Sequence, residues 1–282
     1  MTRMPADGSC AAQTAPLSAT RLRSALAGQD SPSGRGGFWS DVRVLAETGS
    51  TNEAALALAR AGAPEGLVIA AETQTAGRGR QGRSWVSIPC ASLTFSVLLR
   101  PVSVPQAALG WVPLLAGVAV ATALRAATGS DARLKWPNDV LIHDAKLAGI
   151  LAEQTRDAVV VGIGINVLGG KDDLPVPTAT SLELHGAGGI DRTELLAGIL
   201  REVERWYRLW RGTRAGDPDA CGLRPEYLRL SATVGQPVVV QLPGGQSLAG
   251  TAADVDGAGR LLVHPDGGDP VPVSAGDVIH VR

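Results

Sequence analysis

The stretch Gln74-Thr-Ala-Gly-Arg-Gly-Arg-Gln-Gly-Arg-Ser-Trp85 follows closely on an apolar run, Gly66-Leu-Val-Ile-Ala-Ala71. The run reads as a buried strand, and the stretch after it reads as a ligand loop. Gly77, Gly79 and Gly82 are interleaved with Arg78, Arg80 and Arg83. Glycine at that density disfavours a rigid helix or strand and lets backbone amides approach a ligand closely. Arginine supplies planar, permanently charged forks that match carboxylate and phosphate. Trp85 adds a flat face for a base or a cation. A Gly/Arg run alone is equally compatible with a solvated basic loop, so its partners elsewhere in the chain decide the reading.

The 282 residues suffice for one large domain and a small one. A net charge of −1 gives no general attraction to nucleic acid or membrane, so a basic site must be local. Cys10, Cys90 and Cys221 are odd in number and far apart, and there is no secretory segment. A reducing cytoplasm is the expected compartment. His143, His185, His264 and His280 lack the close spacings of a zinc site; no residue is singled out as a metal ligand. The chain has 23 arginines but three lysines, Lys135, Lys146 and Lys171. A retained lysine marks a place that needs a compact ammonium.

Upstream of the loop, residues 1–40 are rich in Ala, Ser, Gly and Pro and read as a flexible leader. Within it a short helix fits around Leu17–Ala27, and Gln29–Gly37 reads as a linker. There is no room for the second and third helices of a winged-helix DNA reader. Asp41–Glu47 alternates as a strand and runs into Thr48-Gly-Ser-Thr-Asn-Glu53. Ser50 and Glu53 have capping-box spacing ahead of a helix to Arg60. Ser50 is therefore either a helix cap or part of a hydroxyl and amide cluster able to read a urea-like group.

Downstream, Ser92–Arg100 reads as a strand and Pro105–Thr128 as a long buried helix interrupted near Pro113. Arg133-Leu-Lys-Trp-Pro-Asn-Asp-Val140 precedes Lys146-Leu-Ala-Gly-Ile-Leu151. Pro137-Asn-Asp is turn chemistry between short strands, and His143-Asp-Ala is a second turn. Asn138 and Asp139 serve either as turn makers or as ligand contacts. Lys146 opens an apolar strand, with Gly149 allowing a ligand close to the backbone. Gly162-Ile-Gly-Ile-Asn-Val167 is a buried strand ending in Asn166, a ligand contact or a turn residue. It lacks the third glycine and the helix of a dinucleotide fingerprint. Lys171–Pro177 is a loop, and Asp191–Arg211 is a capped amphipathic helix whose Trp206 and Trp210 pack. From Ser231, the segments Val238–Leu242, Ser247–Val255, Arg260–His264, Val271–Val273 and Val278–Val281 predict a small barrel of about five strands.

Gly77-Arg-Gly-Arg-Gln-Gly-Arg, Lys135-Trp-Pro-Asn-Asp, Lys146-Leu-Ala-Gly-Ile-Leu and Gly162-Ile-Gly-Ile-Asn, with Ser50-Thr-Asn and Gln74, closely resemble the motifs of the biotin–protein ligases. The resemblance runs from about residue 41 to 282. It implies an α+β fold: a central mixed β-sheet with flanking helices over 41–230, of the class II synthetase/biotin ligase kind. A small C-terminal SH3-like β-barrel follows over 231–282. It implies a cytoplasmic, monofunctional enzyme without a DNA-binding domain. Biotin and ATP, with Mg²⁺ carried on the nucleotide, would give biotinyl-5′-adenylate and pyrophosphate. A lysine of a biotin carboxyl carrier protein of an acyl-CoA carboxylase would then take the biotinyl group; no DNA and no membrane partner is implied.

By that resemblance Ser50, Thr51, Asn52, Gln74, Arg78, Gly79, Arg80, Lys146 and Gly149 would bind biotin, with Ser50, Thr51 and Gln74 at the ureido ring. Arg80, Arg83, Trp85, Asn138, Asp139 and Asn166 would bind the nucleotide, Trp85 near the adenine. Two anions must meet in the first step, so cations must neutralise and align them; Lys146, Arg78 and Arg80 are the catalytic candidates. Asp139 would orient Lys146 or help deprotonate the acceptor amine. A loop that orders over the intermediate would keep water from it, and repulsion among its arginines predicts mobility without ligand. A lipoate–protein ligase would share fold and chemistry, but Lys135-Trp-Pro-Asn-Asp and the ureido-type cluster disfavour it. A non-enzymatic biotin or adenylate sensor would not need the retained Lys146.

Overall fold

The strand-forming runs on both sides of the loop assemble into one sheet. The computed structural model describes residues 15–27 and 37–281. In chain order the first part comprises α1 (Ala19–Leu26), β1 (Asp41–Thr48), α2 (Thr51–Arg60), β2 (Leu67–Gln74), β3 (Ser92–Leu99), α3 (Trp111–Thr128), β4 (Ala132–Lys135) and β5 (Asp139–Ile142). Then come β6 (Ala145–Gln154), β7 (Val159–Asn166), α4 (Arg192–Arg211) and α5 (Leu223–Leu230). The seven strands lie in the order β1-β2-β3-β7-β6-β5-β4. β1 and β2 run parallel, joined by α2 as a parallel pair requires, and every other neighbouring pair is antiparallel. The expected mixed sheet with flanking helices is what forms.

The two faces of this sheet are covered unequally. On one, α2 packs Ala55, Leu56 and Ala59 over Leu67, Ile69, Leu98 and Val160. On the other lies the main core, where α3 is buried on nearly all sides. The span Gln106–Thr128 is long and apolar enough to cross a bilayer, yet 72% of its most apolar window is buried inside the protein. It is a core helix. Pro113 does not interrupt it: the helix begins at Trp111, so the proline sits in the first turn, where its missing N–H breaks no helical bond. Gly129, at φ 68, ends it in the left-handed conformation. Asp191 caps α4 by accepting from the N–H groups of Thr193 and Glu194. Trp206 and Trp210 are buried packing residues, as expected.

The leader expectation fails for residues 15–27. Leu17 and Leu22 are buried, and the segment is tied to an internal ion pair. Arg192 meets Glu72 at 2.7 Å, with side chains only 1% and 10% exposed. Glu72 also accepts from the Leu17 N–H, and Arg192 donates to the carbonyls of Ala15 and Ser92. A buried charge pair is tolerated only when its remaining donors and acceptors are met, and the incoming chain meets two of them. Residues 1–14, and all of the Gln29–Gly37 linker except Gly37, lie outside the described residues. Cys221 is a free thiol and Cys90 is disulfide-bonded.

The C-terminal segments form β8 (Pro237–Gln241), β9 (Ser247–Val255), β10 (Leu261–His264), β11 (Val271–Val273) and β12 (Asp277–His280). They make a five-stranded antiparallel sheet in the order β11-β10-β9-β8-β12. It packs against the start of α3 and the β4–β5 turn. The indole N–H groups of Trp111 and Trp136 donate to the carbonyls of Asp256 and Gly259, each at 3.1 Å. A Cβ on Gly110 would fall 2.2 Å from the Ala258 carbonyl oxygen, so the contact requires glycine there.

Replacing Glu72 by alanine leaves Arg192 uncompensated in the core. We expect a loss of about 3–5 kcal/mol in a urea titration, with a smaller loss in Glu72→Ala combined with Arg192→Met. A single-variant loss under about 1 kcal/mol would mean the pair is solvated.

Candidate active site

β6 and β7 place Gly149 opposite Gly164 and Leu151 opposite Gly162, so this part of the sheet is nearly bare of side chains. The vacant volume is used by two residues from elsewhere. A Cβ on Gly164 would lie 2.3 Å from the Trp85 ring, and one on Gly149 3.1 Å from it. A Cβ on Gly162 would lie 2.2 Å from Asn52 Oδ1. Trp85 and Asn52 thus rest against the backbone itself.

The Gly/Arg stretch folds back above them as a short hairpin. The Trp85 N–H donates to the Gly77 carbonyl at 2.9 Å, and the Gly79 N–H to the Arg83 carbonyl at 2.7 Å. Gln81 (φ 55) and Gly82 (φ 74) form the left-handed tip. Beneath the hairpin is a cavity lined by Ser50, Thr51, Asn52, Gln74, Arg78, Gly79, Arg80, Arg83, Trp85, Asn138, Asp139, Lys146 and Gly149. These are all the assigned site residues but one. Asn166 does not line this cavity. It is buried, its amide donates to the Thr180 carbonyl at 3.0 Å, and its own carbonyl accepts from Leu182 at 3.1 Å. Of its two readings the structure favours the turn-holding one.

Ser50 occupies the N-cap position of α2 but makes no side-chain cap bond. Gln74 does that work instead, accepting from the Thr51 N–H at 2.8 Å and from the Thr51 hydroxyl at 3.1 Å. Meeting a helix-start N–H from another strand leaves the Ser50 hydroxyl at the cavity wall. The cluster continues inward: Ser96 Oγ lies 2.8 Å from Thr51 Oγ1 and 2.6 Å from Asn52 Oδ1. These are neutral donors and acceptors, suited to a neutral polar group such as a urea.

The charges stand around this cluster, each with a partner. Lys146 Nζ lies 2.6 Å from Asp139 Oδ1, and Arg78 lies 2.9 Å from Glu153 Oε1. Arg83 is paired with Asp277 of β12. Arg80 donates to Asn138 Oδ1 at 3.0 Å and to the Gly276 carbonyl at 3.5 Å. Burial pushes the Arg80 guanidinium below its ordinary value, with Asp277 and Asp139 opposing that shift; it stays cationic. Glu153, Asp277 and the Gly276 carbonyl offset the repulsion among the arginines on which the expected mobility rested. Sequence reading missed Glu153, Ser96, Asp277 and the packing duty of Gly162 and Gly164. The period-two row Gly149, Leu151, Glu153 is the one signal that pointed to Glu153.

Comparison with known proteins agrees with this geometry. Residues 44–169 match the Biotin/lipoate A/B protein ligase family, and residues 233–281 match the Biotin protein ligase C terminal domain. The chain is 45% identical over 253 residues to the biotin–[acetyl-CoA-carboxylase] ligase of Mycobacterium tuberculosis, covering 88% of this chain and 92% of that protein. It is 35% identical to the ligase of the same name from Paracoccus denitrificans, covering 82% and 98%. Among solved structures it is similar to the Aquifex aeolicus biotin protein ligase in complex with biotin and ATP. That match has a TM-score of 0.73 and 28% identity, covering 86% of this chain and 99% of that one. The fold and site define a two-domain protein of the biotin/lipoate ligase class. The chain belongs to the biotin protein ligase family.

Gly164→Ala should be destabilising by about 1–3 kcal/mol, the ordinary cost of overpacking. Adding Trp85→Ala to it should recover most of that loss. The midpoints of chemical denaturation curves are the readout; an unshifted midpoint for Gly164→Ala would show that Trp85 does not rest on β7.

Proposed function

We propose that this chain activates biotin with ATP and transfers the biotinyl group to a lysine of a biotin carboxyl carrier protein, as a biotin–[acetyl-CoA-carboxylase] ligase. The observation that carries this reading is the meeting, in one cavity, of a neutral polar cluster (Thr51, Gln74, Ser50) with the cations Arg80 and Lys146. Identity of 45% to a ligase of that name over most of both chains supports it.

In the first step a biotin carboxylate oxygen attacks the α-phosphorus of ATP, and pyrophosphate leaves. Both reactants are anionic, so the barrier falls only if positive charge is already in place. Lys146, held by Asp139 across the β5–β6 pair, sits at the reacting phosphate in this reading. Arg80, fixed by Asn138, neutralises the phosphates from the loop side. In the second step the acceptor amine attacks the acyl carbon and AMP leaves, carrying the electron pair of the broken C–O bond. Lys146 stabilises that leaving oxygen, and Asp139 is the neighbouring group able to take the amine proton. Trp85 provides the face for the adenine or the bicyclic ring. Mg²⁺ would arrive with the nucleotide and help to neutralise its phosphates. Among the described residues there is no group of three or more His, Cys, Asp or Glu able to hold a metal ion.

The test is biotin-dependent exchange of pyrophosphate into ATP, with lipoate as control. Exchange with biotin and none with lipoate is expected; the reverse would make this a lipoate ligase. Lys146→Ala should fold normally and lose exchange by at least about 100-fold, since a positioned charge of this kind is worth about 3 kcal/mol. Near-normal exchange in that variant would remove Lys146 from the reacting centre.

A further inference from the structure

β6 presents Gly149, Leu151 and Glu153 on one face, at the strand period of two. The first two line the cavity, and Glu153 stands just beyond them. Its two oxygens have separate duties. Oε1 meets Arg78 at 2.9 Å, and Oε2 accepts from Asn52 Nδ2, also at 2.9 Å. Asn52 in turn reaches Ser96, and through it Thr51 and Gln74. One carboxylate therefore joins the first arginine of the loop to the whole neutral cluster at the start of α2.

A carboxylate only 21% exposed in its side chain, beside a cavity that must admit a carboxylate and a polyphosphate, opposes their entry by charge. The geometry offers a compensating use. The loop's arginines are directed to different ends of the cavity: Arg78 to Glu153, Arg80 to Asn138 beside the Lys146–Asp139 pair. A guanidinium committed to a charge-assisted bond with Glu153 is not available to reacting phosphates at the Lys146 end.

We propose that Glu153 is a positioning residue that sets the spacing between the loop and the polar cluster, and that Arg78 is the loop's anchor on β6 rather than a charge on the reacting anions. This rests on the biotin-ligase reading of the site. Losing the anchor weakens binding of the cluster's ligand and spares the chemical step. Arg80 and Lys146 remain where the phosphates meet.

The experiment measures pyrophosphate exchange for Glu153→Ala, Glu153→Gln, Arg78→Ala, the Glu153→Ala and Arg78→Ala pair, and the swap of Glu153→Arg with Arg78→Glu. Thermal unfolding is followed for each. Glu153→Ala and Arg78→Ala should each raise KM for biotin about tenfold, about 1.4 kcal/mol. In both, kcat and the KM for ATP should stay within about twofold of wild type. Combining them should cost little more than either alone, Glu153→Gln should fall between, and the swap should regain part of the loss. A fall in kcat at unchanged KM in Arg78→Ala would overturn the proposal, as would additive losses. So would lowered unfolding temperatures with unaltered kinetic constants, which would make Glu153 merely structural. If Glu153→Ala does not fold, Glu153→Gln and Arg78→Ala carry the same comparison. No biotin-dependent exchange in wild type would instead reject the proposed function itself, and this role with it.

Discussion

Three arginines lie within six residues of one another in the ligand loop, and the structure depends on how their charge is met. Each finds its acceptor on a different element: Arg78 on β6, Arg80 at the β4–β5 turn and the Gly276 carbonyl, Arg83 on β12. The loop is thereby held at three points over a sheet stripped of side chains by Gly149, Gly162 and Gly164. Glycine in the strands and arginine in the loop are complementary. One lets Trp85 and Asn52 descend to the backbone; the other keeps the chain above them from collapsing into the space a ligand needs. An entering anion competes with protein carboxylates for charges already in position, so little reorganisation remains for the chemical step.

This arrangement makes the C-terminal sheet part of the site. Asp277 and the Gly276 carbonyl reach the loop from β12 and the turn before it, and indole N–H groups of Trp111 and Trp136 fasten the other side of that sheet to the catalytic domain. The close approach at Gly110 leaves no room for a side chain. The same logic governs the N-terminal segment, whose docking adds two hydrogen bonds to the Glu72–Arg192 pair two residues before Gln74.

Much of this was legible in the sequence because the signals were local. The apolar run Gly66–Ala71, the Lys146 strand and the Val-rich segments after Ser231 have the spacings of strands and became strands. The clustered motifs converge on one cavity from the start of α2, from the hairpin after β2, from the β4–β5 turn and from the glycines within β6 and β7. What escaped was set by contacts between distant residues. Glu72 and Arg192 are unremarkable in sequence, and only together do they draw residues 15–27 into the core. Asp277 has no local pattern pointing to Arg83. Asn166 reads as a ligand contact from its motif, yet its amide is taken by the Thr180 carbonyl. Pro113 would break a helix interior, but here it falls in the first turn of α3, where no helical hydrogen bond needs its N–H.

In the proposed function the cavity under the loop makes and retains an acyl-adenylate. The most direct measurement incubates the wild-type protein with biotin and ATP in the absence of any carrier, passes it through gel filtration and analyses the protein fraction by mass spectrometry. Biotinyl-5′-adenylate should travel with the protein in stoichiometric amount, and adding a biotin carboxyl carrier domain should transfer its biotinyl group to a single lysine and release AMP. Biotin recovered unchanged, or an adenylate formed with lipoate in its place, would contradict it.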